Sequence, residues 1–335
     1  MSLHFGILPT PIYGAETSYR QQLDEHSELV RTAEELGFDH MVCGQHFLGS
    51  ELRYFQPVPY LTYLSQSAPS MRVVTGIMLL SMANPVHMAE EVATLDVLTD
   101  GKATFGVGLG YSDREFKAFG VNPKQKISRF EEGLALIKAL WSGERVDVEG
   151  RYWTVQDVQP AVLPAQRPGP PVWIGGQAEV AIRRAARLGD AWYAPPFPSH
   201  EGLAALRAIF LEEREKHGLS TVGDFPLRRE LIVADTRAEA ARLAAERSAL
   251  RYSTYKNWGL SGQNTPVKAA SDGIDIESQF ILGSPDEIVD RLGELRDDLG
   301  MTHFMFKSHW QGLSHADAMR QLERFGTEVL PKLRD

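Results

Sequence analysis

Between residues 72 and 120 the chain switches from one hydrophobic rhythm to another and back. Residues 72–80 are an unbroken apolar run opening on Val73, Val74 and Thr75, which predicts a strand buried on both faces. Asn84-Pro85 then opens a helix, with proline at the first turn, where its missing N–H costs nothing. Met88, Val92, Leu95, Val97 and Leu98 follow at helical spacing, with Glu90, Glu91 and Asp96 among them. Asp100-Gly101 ends that helix, and Ala103–Val107 starts the next strand. Two buried strands joined by so long a helix make a parallel βαβ unit.

The same alternation runs through the rest of the chain. It predicts strands at 3–8, 38–43, 171–176, 189–194, 226–234 and 302–307. Helices are predicted at 18–36, 57–67, 128–141, 178–188, 201–217, 236–250, 284–299 and 314–330. Gly37 supplies a C-terminal cap, and Ser284-Pro285-Asp286-Glu287 has the pattern of a capping box. Residues 145–155 read as a hairpin across Glu149-Gly150, and the five prolines in 160–171 as an extended connection. The resulting eight strands, each followed by a helix, predict a single α/β domain over residues 1–335: a (β/α)8 TIM barrel with insertions near 145–170 and 252–282.

Composition narrows the function classes. The chain has 335 residues, 43% of them hydrophobic, enough for one large core. A net charge of −9 argues against nucleic acid or an anionic membrane as partner. Cys43 is the only cysteine, which excludes a disulfide framework or a multi-cysteine metal site, and it reads as buried packing. No segment reads as a signal peptide or approaches the ~18 apolar residues of a membrane span. The expectation is a cytoplasmic protein.

In a barrel of parallel strands the chemistry gathers at their C-terminal ends. Those ends hold Pro9 to Tyr13; Gln45, His46 and Phe47; Leu80 to Asn84; Gly108 to Ser112; Gly175 to Ala178; Trp192 to Pro196; and Ser308, His309 and Trp310. Glycine, aromatic and amide groups dominate and carboxylates are few. That inventory suits a flat ring and a phosphate better than a metal or a pair of catalytic acids. Gly175-Gly176-Gln177-Ala178, a strand running straight into a helix, is either an anion cradle or a tight turn that needs glycine. GVGLG at 106–110 lacks the last glycine of a dinucleotide fingerprint, since Tyr111 stands there. Its glycines either let the backbone approach a ligand or permit a close turn. Residues 252–282 lie on the active-site face, where Tyr255 and Trp258 would cover a cavity or merely decorate a solvated insertion.

The ordered segments FGILP, GFDHMVCGQHF, TGIMLLSMANPVHMAEEVATLDVLTDGK, FGVGLGYSDREFKAFG, PPVWIGG, ARLGDAW and GSPDEIVDRL resemble the bacterial luciferase-like, flavin-dependent monooxygenases over nearly the whole chain. The resemblance implies a reduced FMN site at the barrel mouth. Its ring would lie over a non-prolyl cis peptide matching Gly76–Ile77, beside Met78 and Asn84, and its phosphate by Leu109, Gly110, Tyr111, Gly175, Gly176, Gln177 and Ala178. Luciferase itself has an arginine where Leu109 stands and a histidine where Gln45 stands, which moves phosphate binding toward Tyr111 and backbone amides and argues against light emission. His46, Gln45 and His309 are the candidates for chemistry or positioning. Phe47, Trp192, Tyr255, Trp258 and Trp310 are candidates for a dry substrate wall. The partners implied are a small organic substrate, O2, a separate flavin reductase and a second copy of the chain. A deazaflavin-dependent hydride transfer and a non-catalytic flavin-binding subunit are the alternatives.

Overall fold

The computed structural model describes residues 3–9, 17–49, 53–196, 198–246, 280–307 and 313–334. Its strands are β1 (His4–Ile7), β2 (His40–Cys43), β3 (Arg72–Thr75), β4 (Met78–Leu79), β5 (Ala103–Gly108), β6 (Val146–Glu149), β7 (Thr154–Val158), β8 (Val172–Gly175), β9 (Ala191–Tyr193), β10 (Pro226–Val233), β11 (Phe280–Gly283) and β12 (His303–Phe306). All but β6 and β7 join one curled sheet in the order β11-β10-β12-β1-β2-β3-β5-β8-β9, with β4 paired to β5. Every pairing in it is parallel. Beyond β9 the sheet turns back toward β10: Ala194 N–H donates to the Pro226 carbonyl at 3.0 Å, and Arg228 N–H to the Ala194 carbonyl at 3.1 Å.

Strand alternation divides the apolar residues between two faces. Phe5, Ile7, Met41, Val73, Phe105, Val107, Ile174, Phe304 and Phe306 pack outward against the helices in the main core. Leu8, Val42, Val74, Trp173, Ala191, Tyr193 and Met305 make a separate cluster on the concave face, with Ile77 against it. The helices that carry the argument below are α1 (Tyr19–Glu35), α2 (Pro57–Ser65), α3 (Pro85–Leu98), α4 (Asp113–Ala118), α5 (Lys126–Trp141) and α6 (Glu179–Leu188).

Three elements differ from the sequence reading. The apolar run 72–80 is not one strand. The Gly76–Ile77 peptide is cis, at the bond expected from the resemblance, and the chain resumes as β4 and a short 3-10 turn, Leu80–Met82. Helix α4 went unread because six residues are too few for a periodic stripe; Ser112 caps it by accepting from Glu115 N–H at 3.4 Å. Strand β11, a fully buried run of four residues, lay hidden in the aperiodic stretch 252–282. It pairs with the C-terminal half of β10, whose N-terminal half pairs with β12.

The insertion near 145–170 is the β6–β7 hairpin and its return. Glu132 of α5 holds the hairpin by accepting backbone N–H bonds from Arg151, Tyr152 and Trp153 at 3.2, 2.8 and 3.0 Å. Asp96, wholly buried at the end of α3, accepts from Gln166 N–H and from its side-chain amide at 2.9 and 2.7 Å, which fastens the proline-rich connection to α3.

Candidate functional site

The end of β2 runs directly into Gly44-Gln45-His46-Phe47. Gln45 is buried, and both ends of its carboxamide are engaged. Its oxygen accepts from Leu79 N–H at 2.9 Å, and its nitrogen donates to Gln56 Oε1 at 2.9 Å. Gln56 in turn donates to the His46 carbonyl at 3.2 Å. Gln45 thus braces the broken third strand, and its own N–H completes the brace at the Ile77 carbonyl, 3.2 Å away.

His46 stands above that brace with its side chain 21% exposed. The edges of Tyr54 and Tyr111 face its ring, at centroid distances of 4.8 and 6.0 Å. Its Nδ1 lies 3.4 Å from Oε1 of Glu115, a residue only 2% exposed. The same oxygen accepts the Phe47 N–H at 2.8 Å. Phe47 packs on Phe119 and joins Leu79, Met82, Phe116 and Val121 in a small apolar cluster that seats α4. Glu115 was not among the candidates read from the sequence. Its signal was faint: a glutamate three residues after a serine N-cap, next to a buried phenylalanine.

The ends of β5 and β8 settle what several glycines do. A Cβ on Gly106 would stand 1.8 Å from the Thr75 carbonyl oxygen, and one on Gly108 would stand 2.1 Å from the Ile77 side chain. These two glycines therefore allow the strands to pack around the break in the third strand. Gly110, at φ +77°, makes the turn. Gly175 packs against Ile77, and Gly176 against Ala181, so this pair also serves a tight strand-to-helix turn.

That turn still leaves a bare helix start. Ala178 is the N-cap of α6, and no side chain caps it. Gln177, Ala178 and Glu179 are exposed there. Ser18, Asn84 and Ser112 cap α1, α3 and α4 through their side chains, while α2 and α5 also start without one. An uncapped ten-residue helix offers unpaired N–H groups and the positive end of its dipole, which is what a phosphate needs. Glu179 in the first turn is paired with Arg183 at 2.9 Å. Leu109 and Gly110 are half-buried and Tyr111 is 39% exposed.

Other expected residues fall elsewhere. Trp192 does not line a cavity: it is fully buried in the helix-facing core, stacked on Phe225, with its indole N–H donated to the Gly176 carbonyl at 2.8 Å. Strand alternation turns its neighbour Tyr193 inward instead. That hydroxyl is buried without a hydrogen-bond partner among the described residues, and burial pushes its pKa up to about 12. The ring of Tyr193 lies close under Gly76. Met78 points into the main core, and Asn84 caps α3 by accepting from Val86 and His87 N–H at 2.9 and 3.3 Å. Cys43 is buried, which pushes its thiol up to about 12. His309, Trp310, Tyr255 and Trp258 lie outside the described residues. Among the described residues no cluster of histidine, cysteine or carboxylate could hold a metal, and no helix is long and apolar enough to cross a membrane.

The family model for luciferase-like monooxygenases matches residues 3–303. The chain is 30% identical to the F420-dependent glucose-6-phosphate dehydrogenase of Beutenbergia cavernae, covering 90% of this chain and 91% of that protein. It is 23% identical to the oxygenase component of the flavin-dependent trigonelline monooxygenase of Acinetobacter baylyi, covering 94% and 91%. Among solved structures, monooxygenase RslO1 of Streptomyces bottropensis superposes with a TM-score of 0.84 at 24% identity, over 98% of this chain and 99% of that one.

Proposed function

The chain belongs to the luciferase-like monooxygenase family, and from that premise we propose that it is an oxidoreductase whose cofactor is reduced FMN, lodged at the C-terminal rim of a (β/α)8 barrel. In this reading the barrel is a single domain closed where Ala194 meets Leu227. When bound, the reduced flavin supplies the electrons for oxygenating a small organic substrate with O2. A separate reductase delivers it, as the name of the trigonelline oxygenase component implies for that relative.

One observation carries the reading. The exposed, uncapped start of α6 occupies the same rim as His46 and the buried Glu115. The first suits a phosphate tail, and the second is a group able to take or give a proton beside a ring. Phe47 and Tyr111 lend apolar surface, and exclusion of water favours such chemistry. A deazaflavin-dependent hydride transfer is the second reading, favoured by the 30% identity to the F420-dependent dehydrogenase. The chain is further proposed to pair with a second copy through α2 and α3, where Tyr63, Val97 and Leu98 are exposed at 40%, 49% and 55%.

Anaerobic titration of the purified protein with reduced FMN, riboflavin and F420 tests the cofactor. Tightest binding of reduced FMN, with substrate-dependent O2 uptake, is expected. Preferential binding of F420 without O2 uptake supports the second reading and overturns the first. Ala178→Asp refines the test, because it caps the helix while placing a negative charge at the phosphate position. It is expected to weaken FMN about tenfold and leave riboflavin unchanged. Equal effects on both ligands would remove α6 from the site.

A further inference from the structure

We propose that Glu115 is a positioning residue that fixes the orientation and tautomer of His46; this rests on the reading of His46 as the proton-transfer group of the rim. Both partners are held in place. The backbone around His46 is pinned through Gln45, Gln56 and the Phe47 N–H. Glu115 is fixed by the Ser112 cap and by the burial of its neighbour Phe116 among Leu79, Met82, Phe47 and Val121. The result is a carboxylate at 2% exposure with Oε1 3.4 Å from His46 Nδ1.

Its second oxygen, Oε2, is buried with no hydrogen-bond partner among the described residues. A buried carboxylate that only capped the Phe47 N–H would be a costly substitute for a neutral acceptor. Beside an imidazole it gains a purpose. It favours the tautomer carrying the proton on Nδ1 and leaves Nε2 as the acceptor. Tyr54 and Tyr111 also face the ring, edge to face.

The test reads His46 directly, by 15N–1H correlation of histidine-labelled protein without cofactor, with His46→Gln used for assignment. The wild-type ring is expected to be the Nδ1–H tautomer. Glu115→Gln keeps an oxygen for the Phe47 N–H but removes the charge. It is expected to mix the tautomers, whereas Glu115→Asp keeps most of the wild-type behaviour. A wild-type ring in the Nε2–H form overturns the proposal even if the variants do not fold. A Glu115→Gln protein with an unchanged tautomer overturns it as well. The spectra need no flavin, so failure of the cofactor reading registers separately, in the ligand titrations or in a His46→Gln enzyme that turns over normally.

Discussion

At the scale of single residues the rim is organised by long-range polar bonds that the sequence cannot display. Gln45 reaches 34 positions ahead to Leu79, and Phe47 reaches 68 positions ahead to Glu115. Gln45→Leu is about isosteric but leaves the buried Leu79 N–H without its acceptor. Loss of about 1–3 kcal/mol is expected, read as a lower midpoint in urea unfolding, with a larger effect on cofactor affinity than Gln56→Ala because Leu79 adjoins the broken strand. An unchanged midpoint would mean that water replaces the side chain. Gln45 and His46 could be picked from the sequence because they directly follow a strand, and strand ends are where such folds place chemistry. Glu115 could not. It sits among Asp113, Arg114 and Lys117, and that composition reads as a solvated turn. Trp192 went astray by one position of alternation: tryptophan beside tyrosine at a strand end gives no sign of which one faces inward.

At the scale of elements, local chemistry explains where helices begin. Ser284 accepts from Glu287 N–H at 3.4 Å, and the Glu287 carboxylate accepts the Ser284 N–H at 2.8 Å, a reciprocal cap at the start of the helix Pro285–Leu299. Ser284→Ala is expected to cost about 1 kcal/mol and to speed hydrogen exchange in that helix first, since the cap is local. A global loss without local acceleration would contradict this. This cap was legible in the sequence because its pattern lies within four residues. The longer helices were legible for a similar reason, since their periodicity spans several turns, and most buried strands showed as short apolar runs between turn residues. Two short elements did not: α4 and β11 are set by packing, and the break at Gly76–Ile77 lies inside a run whose hydrophobicity is continuous. Helix α6 shows the limit from the other side. Its start was foreseen, but a glycine pair followed by an uncapped helix reads the same whether it serves a phosphate or only a turn.

At the scale of the whole molecule, the end of the sheet opposite the rim holds a feature expected to lower stability in acid. His4, His40 and His303, from three neighbouring strands, bring their rings to centroid distances of 4.8 to 5.9 Å, with Trp173 against the last two. Their surroundings push them apart. The Asp39 carboxylate raises the pKa of His4. Burial drives His40 well below its ordinary value, with the neighbouring His303 adding to the shift, and its Nδ1 has no hydrogen-bond partner among the described residues. Burial likewise brings His303 down to about 4. A histidine whose folded pKa is depressed binds its proton more readily in the unfolded chain. The native state therefore loses stability as the pH falls from about 6.5, where the unfolded residue titrates, toward the folded value. His4 acts in the opposite sense: its contribution is present below about 6.5 and fades as the pH rises through its elevated pKa. Two depressed residues against one raised residue leave a net loss toward acid. The thermal midpoint should fall between pH 6.5 and 4.5 by more than acidic groups alone explain, and His303→Gln should flatten that slope while costing stability at pH 7.5. A slope identical in wild type and His303→Gln would show that the carboxylates, not this histidine cluster, set the acid limit of the fold.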